Sequence, residues 1–229
     1  MSAHHKNMVK TNTPDPLRLF LIRHGETEWS RTGRHTGLTD IPLTGNGANE
    51  ALELGRHLRN IPFAQVLSSP LKRAMQTCEL ALNKVPEMEP DLAEWDYGDY
   101  EGQRSADIRK RRADWNVYRD GCPGGEMPEQ VCARADRIIN RLRKLDGNIA
   151  LFAHGQIGSA LAMRWIGLAL IEAQHFSLGT TTLSILALDP HHPGVPVIAL
   201  WNAVPQEIFS PVPVHPASGT MTDHGQMSH

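Results

Sequence analysis

The chain has 229 residues, 40% hydrophobic and 21% charged, which supplies the apolar material for one sizeable core and excludes a chain too polar to fold. A formal net charge of -2 excludes a general polyanion-binding surface, so nucleic acid is not an expected partner and any cations that matter must be local. Residues 1–16 are polar and interrupted by prolines, the composition of a flexible segment and not of a secretory signal or a membrane span.

Residues 17–22 form an apolar run of strand type that ends abruptly in Arg23-His24-Gly25. In α/β sheets the carboxyl end of a strand is where ligands bind. Arginine presents a planar fork for phosphate oxygens, a neutral imidazole nitrogen is able to attack phosphorus, and glycine lets the backbone approach a ligand closely. Ser30, Thr36 and Gly37 follow in the segment after this strand. Thr36 also suits a turn that satisfies its own backbone. Thr44 then caps a helix running to Arg59, and residues 63–67 form a second strand.

Ser69-Pro70 reads as a helix N-cap followed by proline at the first helical position. Arg73 would then lie in the first turn, near the positive end of the helix dipole, where an anion is favoured. Residues 94–102 are acidic and glycine-containing, with Glu94, Asp96, Asp99 and Glu101 as candidate proton carriers. A helical insertion is expected over 104–118, where Arg104, Arg109, Lys110, Arg111 and Arg112 make a basic run of the kind that usually faces solvent. A longer helix is predicted over 128–145. The run 149–153 is a further strand ending in His154-Gly155, repeating the design of the first motif, with a helix over 157–165. Late strands are expected at 182–188 and 195–200, and a disordered tail rich in proline and histidine over 203–229. Cys78, Cys122 and Cys132 have no metal-ligand spacing and cannot all pair within the chain, so they read as reduced thiols of a cytoplasmic protein.

In order and together, Arg23-His24-Gly25, the Ser-Pro-(x)2-Arg-(x)2-Gln-Thr pattern at 69–77, the acidic segment at 94–102 and His154-Gly155 resemble the histidine phosphatase superfamily, in its phosphoglycerate-mutase-like branch, over residues 17–202. The loop motifs at 27–30, 36–44 and 121–126 are most similar to broad-specificity acid phosphatases and sedoheptulose-1,7-bisphosphatases. The resemblance implies one domain, a three-layer α/β/α sandwich with a mostly parallel sheet. It also implies hydrolysis of small phosphorylated metabolites through a phosphohistidine, with no metal or other cofactor.

Carried over by position, His24 is the nucleophile, and Arg23, Arg73 and His154 hold the transferred phosphoryl group. Glu94 donates the proton to the leaving group, with Ser30, Thr36, Gly37 and Gly155 completing the substrate pocket. Such chemistry suits the residues, because a phosphoryl transition state spreads negative charge over oxygens that fixed cations stabilise. For His24 to attack, its other ring nitrogen must donate to a fixed acceptor such as a backbone carbonyl. Glu94 must begin protonated, which favours mildly acidic conditions. Relatives often carry an arginine a few positions after the second His-Gly; this chain has Gln156 and then Ile157-Gly158-Ser159, which weakens the case for a bisphosphate unless another group such as His35 compensates. A phosphoglycerate mutase and a non-catalytic phosphate-recognition module are the alternatives. A homodimer is compatible with the sequence.

Overall fold

A computed structural model describes residues 15–205. Six strands, β1 (Arg18–Arg23), β2 (Phe63–Ser68), β3 (Glu87–Met88), β4 (Asn148–Ala153), β5 (Leu183–Leu188) and β6 (Pro196–Ala203), form one sheet in the order β3-β2-β4-β1-β5-β6. The first four in that order are mutually parallel, whereas β5 runs antiparallel to β1 and β6 antiparallel to β5. Seven α-helices are described: α1 (Glu28–Thr32), α2 (Gly45–Leu58), α3 (Lys72–Leu82), α4 (Ser105–Arg109), α5 (Val117–Asp120), α6 (Pro128–Leu142) and α7 (Gly155–Trp165).

The central strands β1 and β4 are apolar on both faces because both faces are covered. Leu19, Leu21, Ile149 and Leu151 pack with Ile138, Leu142 and Leu161 of α6 and α7. Phe20, Ile22, Ala150 and Phe152 pack with Leu54, Leu58, Cys78 and Leu82 of α2 and α3. The result is the expected three-layer sandwich. Cys78 and Cys122 are both buried, and burial pushes each thiol up to about 12, so neither is a reactive thiolate.

Several boundaries differ from the sequence reading for local reasons. The helix expected from Ser69 begins two residues after Pro70, at Lys72, with Leu71 as a cap that has no side-chain bond. The single helix expected over 104–118 is two short ones, because the chain turns between them and Trp115 is buried with its indole N–H donating to the Gly121 carbonyl. The long helix ends at Leu142, three residues earlier than predicted. Strand β6 continues through Ala203, into the stretch assigned to the tail. Residues 1–14 and 206–229, where the flexible segment and most of the tail were expected, lie outside the described residues.

The connection leaving β1 is held against α2 by two glycines. A Cβ on Gly25 would stand 2.6 Å from the Gly47 carbonyl oxygen, and one on Gly47 would stand 2.2 Å from that of Glu26. Backbone therefore packs on backbone directly behind His24. Gly47→Ala is expected to force this contact apart and to lower stability by about 1–3 kcal/mol, the usual cost of overpacking. A urea titration checks it: the midpoint falls with little change in slope.

Candidate active site

Parallel pairing aligns the carboxyl ends of three neighbouring strands. Ser68 of β2 is in register with Phe152 of β4, and Ala153 of β4 with Arg23 of β1. The next residues are Ser69, His154 and His24, and they stand in a row along one edge of the sheet. The two imidazole centroids are 5.1 Å apart. All three residues are buried.

Their hydrogen-bond partners define both tautomers. His24 Nδ1 lies 2.7 Å from the Gly25 carbonyl oxygen, which only accepts, so Nδ1 carries the proton and Nε2 keeps its lone pair. This is the carbonyl contact that the sequence argument required. For His154 the pattern is reversed: Arg73 Nε donates to its Nδ1 at 3.1 Å, so the proton sits on Nε2, 2.7 Å from Ser69 Oγ, to which it donates. Burial, then Arg23 and Arg73, holds His24 well below its ordinary 6.5. Burial, then Arg73, His24 and Arg23, does the same to His154. Both rings are neutral, so His154 acts as a hydrogen-bonding group and not as a cation.

Arg73 lies in the first turn of α3, as expected, but it is fully buried and faces mostly protein. Besides His154, it donates to the carbonyl oxygens of Thr39 (3.1 Å), Thr36 (2.9 Å) and Gly37 (2.8 Å). Four of its five N–H groups are thereby engaged, and one is left to offer elsewhere. Glu101, a competing candidate to which motif position preferred Glu94, fastens the same loop by accepting from Gly37 N and Thr39 N. Arg23 donates through Nη1 to the Leu178 carbonyl, while its buried Nε has no partner among the described residues.

Glu94 enters from the segment between two 3-10 turns, Pro90–Leu92 and Gly98–Tyr100. Its carboxylate reaches the N-terminus of α7. Ile157 N and Trp95 N each donate to Oε1 at 2.9 Å, and Gln156 N donates to Oε2 at 3.0 Å. Oε1 is doubly occupied, which leaves Oε2 as the oxygen with room for a proton. Arg134 of α6, which the sequence reading did not single out, clamps this segment. It donates to the Asp91 and Ala93 carbonyls and pairs with Glu126 at 2.7 Å. Nothing in a charged helix face distinguishes Arg134 before the helix is docked.

A cleft of about 320 Å³ opens over His24 and is lined by Arg23, Ser30, Gly33, Arg34, His35, Thr36, Tyr97, Ser105 and Gln156. Ser30 lines it, but its hydroxyl closes a capping box with Thr27, accepting from Thr27 N at 2.9 Å and donating to its carbonyl at 3.1 Å. Thr36 lines it too, with its hydroxyl turned to the Arg34 carbonyl at 3.3 Å, the local turn bond anticipated for it. Gly37 lies behind the wall, where its carbonyl serves Arg73, and Gly155 starts α7 beside the Arg23 guanidinium. Tyr97 and Ser105 are lining residues that the motifs did not reveal. Most of the basic run at 104–112 is bonded elsewhere, Arg104 and Lys110 pairing with Asp107 and Arg112 with Asp120. Among the described residues, no three His, Cys, Asp or Glu side chains gather as a metal site.

A neutral imidazole with a free lone pair, flanked by the Arg23 and Arg73 guanidiniums and a carboxylate, equips the cleft for attack on a phosphate ester. The family model of the histidine phosphatase superfamily (branch 1) matches residues 19–203, and the chain belongs to that superfamily. It is 40% identical over 176 residues to an acid phosphatase of Mycobacterium tuberculosis, covering 75% of this chain and 87% of that one. It is 37% identical over 184 residues to sedoheptulose 1,7-bisphosphatase of Saccharomyces cerevisiae, covering 66% and 68%. A solved structure of the Mycobacterium tuberculosis open reading frame Rv3214 product superposes with a TM-score of 0.77 at 37% identity, covering 82% of this chain and 98% of that one. The protein is accordingly an enzyme that hydrolyses phosphate esters.

The tautomers are directly measurable. In long-range 1H–15N spectra, His24 is expected to show Nδ1 protonated and Nε2 bare, and His154 the opposite. Both signals should stay neutral as pH falls through 6.5, because both groups are held well below that value. An imidazolium signal from either ring at pH 6.5 would contradict the assignment.

Proposed function

We propose that this enzyme is a metal-independent phosphomonoesterase that hydrolyses small phosphorylated metabolites through a phosphohistidine on Nε2 of His24. The observation that carries the reading is the 2.7 Å bond from His24 Nδ1 to the Gly25 carbonyl, which presents an unprotonated Nε2 at the cleft. In the first step Nε2 forms a bond to phosphorus as the ester P–O bond breaks, and Glu94 gives its proton to the leaving alkoxide. In the second step the Glu94 carboxylate takes a proton from water, the resulting hydroxide displaces Nε2, and inorganic phosphate departs with Glu94 again protonated.

The buried Nε of Arg23 and the remaining N–H of Arg73 suit the equatorial phosphoryl oxygens, where charge is spread in the transition state. His154 supports them by its Nε2–H, which moves from Ser69 to a phosphoryl oxygen when an anion is bound. An anion in this position also relieves the mutual repulsion of the two guanidiniums. The reading places the enzyme in the cytoplasm with reduced cysteines and needs no nucleic-acid or membrane partner. No described helix is long and apolar enough to cross a membrane.

The test is phosphate release from p-nitrophenyl phosphate, fructose 1,6-bisphosphate, sedoheptulose 1,7-bisphosphate and 3-phosphoglycerate, with chelator present. Wild type should release phosphate, and His24→Ala should abolish both turnover and the alkali-stable phosphoprotein seen by mass spectrometry. Conversion of 3-phosphoglycerate to its isomer without release would instead identify a mutase. Glu94→Gln should lower kcat by about 10²–10⁴-fold on alkyl phosphates, the range for loss of a general acid. The loss should be smaller on p-nitrophenyl phosphate, whose leaving group needs no proton. Because the nucleophile stays neutral below 6.5, the acid limb of kcat/KM should also fall below that pH.

A further inference from the structure

Beyond the phosphoryl site, a cation on the cleft rim has no partner among the described residues. Arg23 and Arg34 are the two arginines that line the cleft, and Arg23 is engaged with the Leu178 carbonyl. Among the described residues, the exposed Arg34 guanidinium makes no hydrogen bond or ion pair, although its neighbours Arg31 and Arg104 are paired with Glu28 and Asp107. Its backbone is nevertheless fixed. Arg34 N donates to the Trp29 carbonyl at 2.9 Å, His35 N to that of Gln103 at 2.9 Å, and Gly102 N to that of His35 at 2.9 Å. A pinned backbone bearing a free fork is suited to seize an anion with little loss of chain entropy.

The opposite wall supplies no such charge. At the start of α7, Gln156 is neutral, and Ser159 is fully buried with its hydroxyl donating toward the Gly155 and Phe176 carbonyls. Between the walls, His35 lies 4.5 Å from the Tyr97 ring and bonds through Nε2 to Ser105 Oγ at 3.0 Å. Burial and Arg109 pull His35 down to about 4, so it serves as a neutral hydrogen-bonding group above that pH. Arg34 also lines an adjoining cleft of about 520 Å³, so the rim is open on the side away from His24.

We infer that Arg34 is the specificity residue for a second anion, so that this site favours substrates carrying a phosphate ester at one end and a further phosphate or carboxylate at the other. The hydroxylated stem between the two charges would run past His35 and Ser105. The inference rests on the phosphatase reading and assigns to the loop after α1 a task that α7 lacks the charge to perform.

Arg34→Gln and Arg34→Lys are compared with wild type on fructose 1,6-bisphosphate, 3-phosphoglycerate and p-nitrophenyl phosphate. For Arg34→Gln, KM on at least one of the two dianionic-ended substrates should rise about tenfold or more relative to p-nitrophenyl phosphate, with kcat changed far less. Arg34→Lys should recover part of that loss. A loss confined to the bisphosphate identifies phosphate as the second anion, and one confined to phosphoglycerate identifies carboxylate. Equal effects on all three substrates would overturn the assignment. Calorimetric binding of fructose 1,6-bisphosphate and 3-phosphoglycerate to His24→Ala, with and without Arg34→Gln, reads the same contact without turnover. Unchanged affinity for both in the double variant overturns the role of Arg34 even if hydrolysis is seen, whereas weakened affinity supports it even if the phosphatase reading fails.

Discussion

Arg73 is buried and Arg23 half-buried at the carboxyl edge of the sheet, neither with a carboxylate ion pair among the described residues, and the rest of the site is arranged around that charge. Burying an unpaired cation costs several kcal/mol even after relaxation, so a folded chain tolerates it only with other compensation. Here the compensation is partial. Carbonyl oxygens of the 36–39 loop and of Leu178 accept from the guanidiniums, and Glu94, the acidic residue that acts most on both, lies nearby without a direct bond to either. Burial first, and then the remaining positive potential, drives both histidines toward neutrality. A site with two neutral imidazoles, two cations and an orphaned N–H is complementary to an anion rather than to the water it excludes.

Protonation and geometry therefore meet at Arg73. Had Arg73 paired with a carboxylate, His154 would have lost the donor that places its proton on Nε2. The loop carrying Thr36 and Gly37 would also have lost the guanidinium that holds its carbonyls. Glu101 completes the arrangement from the other side, because its carboxylate fastens the loop N–H groups while Arg73 fastens the carbonyls. The loop is fixed in both polarities of its backbone, and it is this loop that continues Arg34 and His35 into the cleft wall.

Much of this was legible in the chain itself. The two strand-His-Gly runs, the arginine shortly after the second strand and the acidic segment marked His24, His154, Arg73 and Glu94 as candidates, through the order and spacing they share with the histidine phosphatase superfamily. Ser69 was misread, since a serine before a proline has the form of a helix cap. It is the pairing of β2 with β4 that turns it toward His154. Arg134 was invisible for a related reason: a basic residue on an amphipathic helix looks solvated until Glu126 and the 91–94 carbonyls are brought to it. Ser30 illustrates the converse, as a hydroxyl in the expected place whose local capping bonds occupy it.

By itself, the sequence determined the strand-and-helix order of an α/β chain and the candidates for the reacting groups, while the three-layer architecture followed from the family resemblance. The first two depend on hydrophobic periodicity and on local chemistry that neighbouring residues carry with them. Tertiary structure alone decided the tautomer of His154, the near-complete engagement of Arg73 and the freedom of Arg34, whereas the proton on His24 is set by its own neighbour Gly25. Those three depend on which donor or acceptor the strand order delivers from a distant part of the chain: Arg73 to His154 across 81 positions, and Glu94 to Ile157 across 63. A hydrogen bond has a direction and a length that residue spacing does not encode, so these features exist only once β2, β4 and β1 lie side by side.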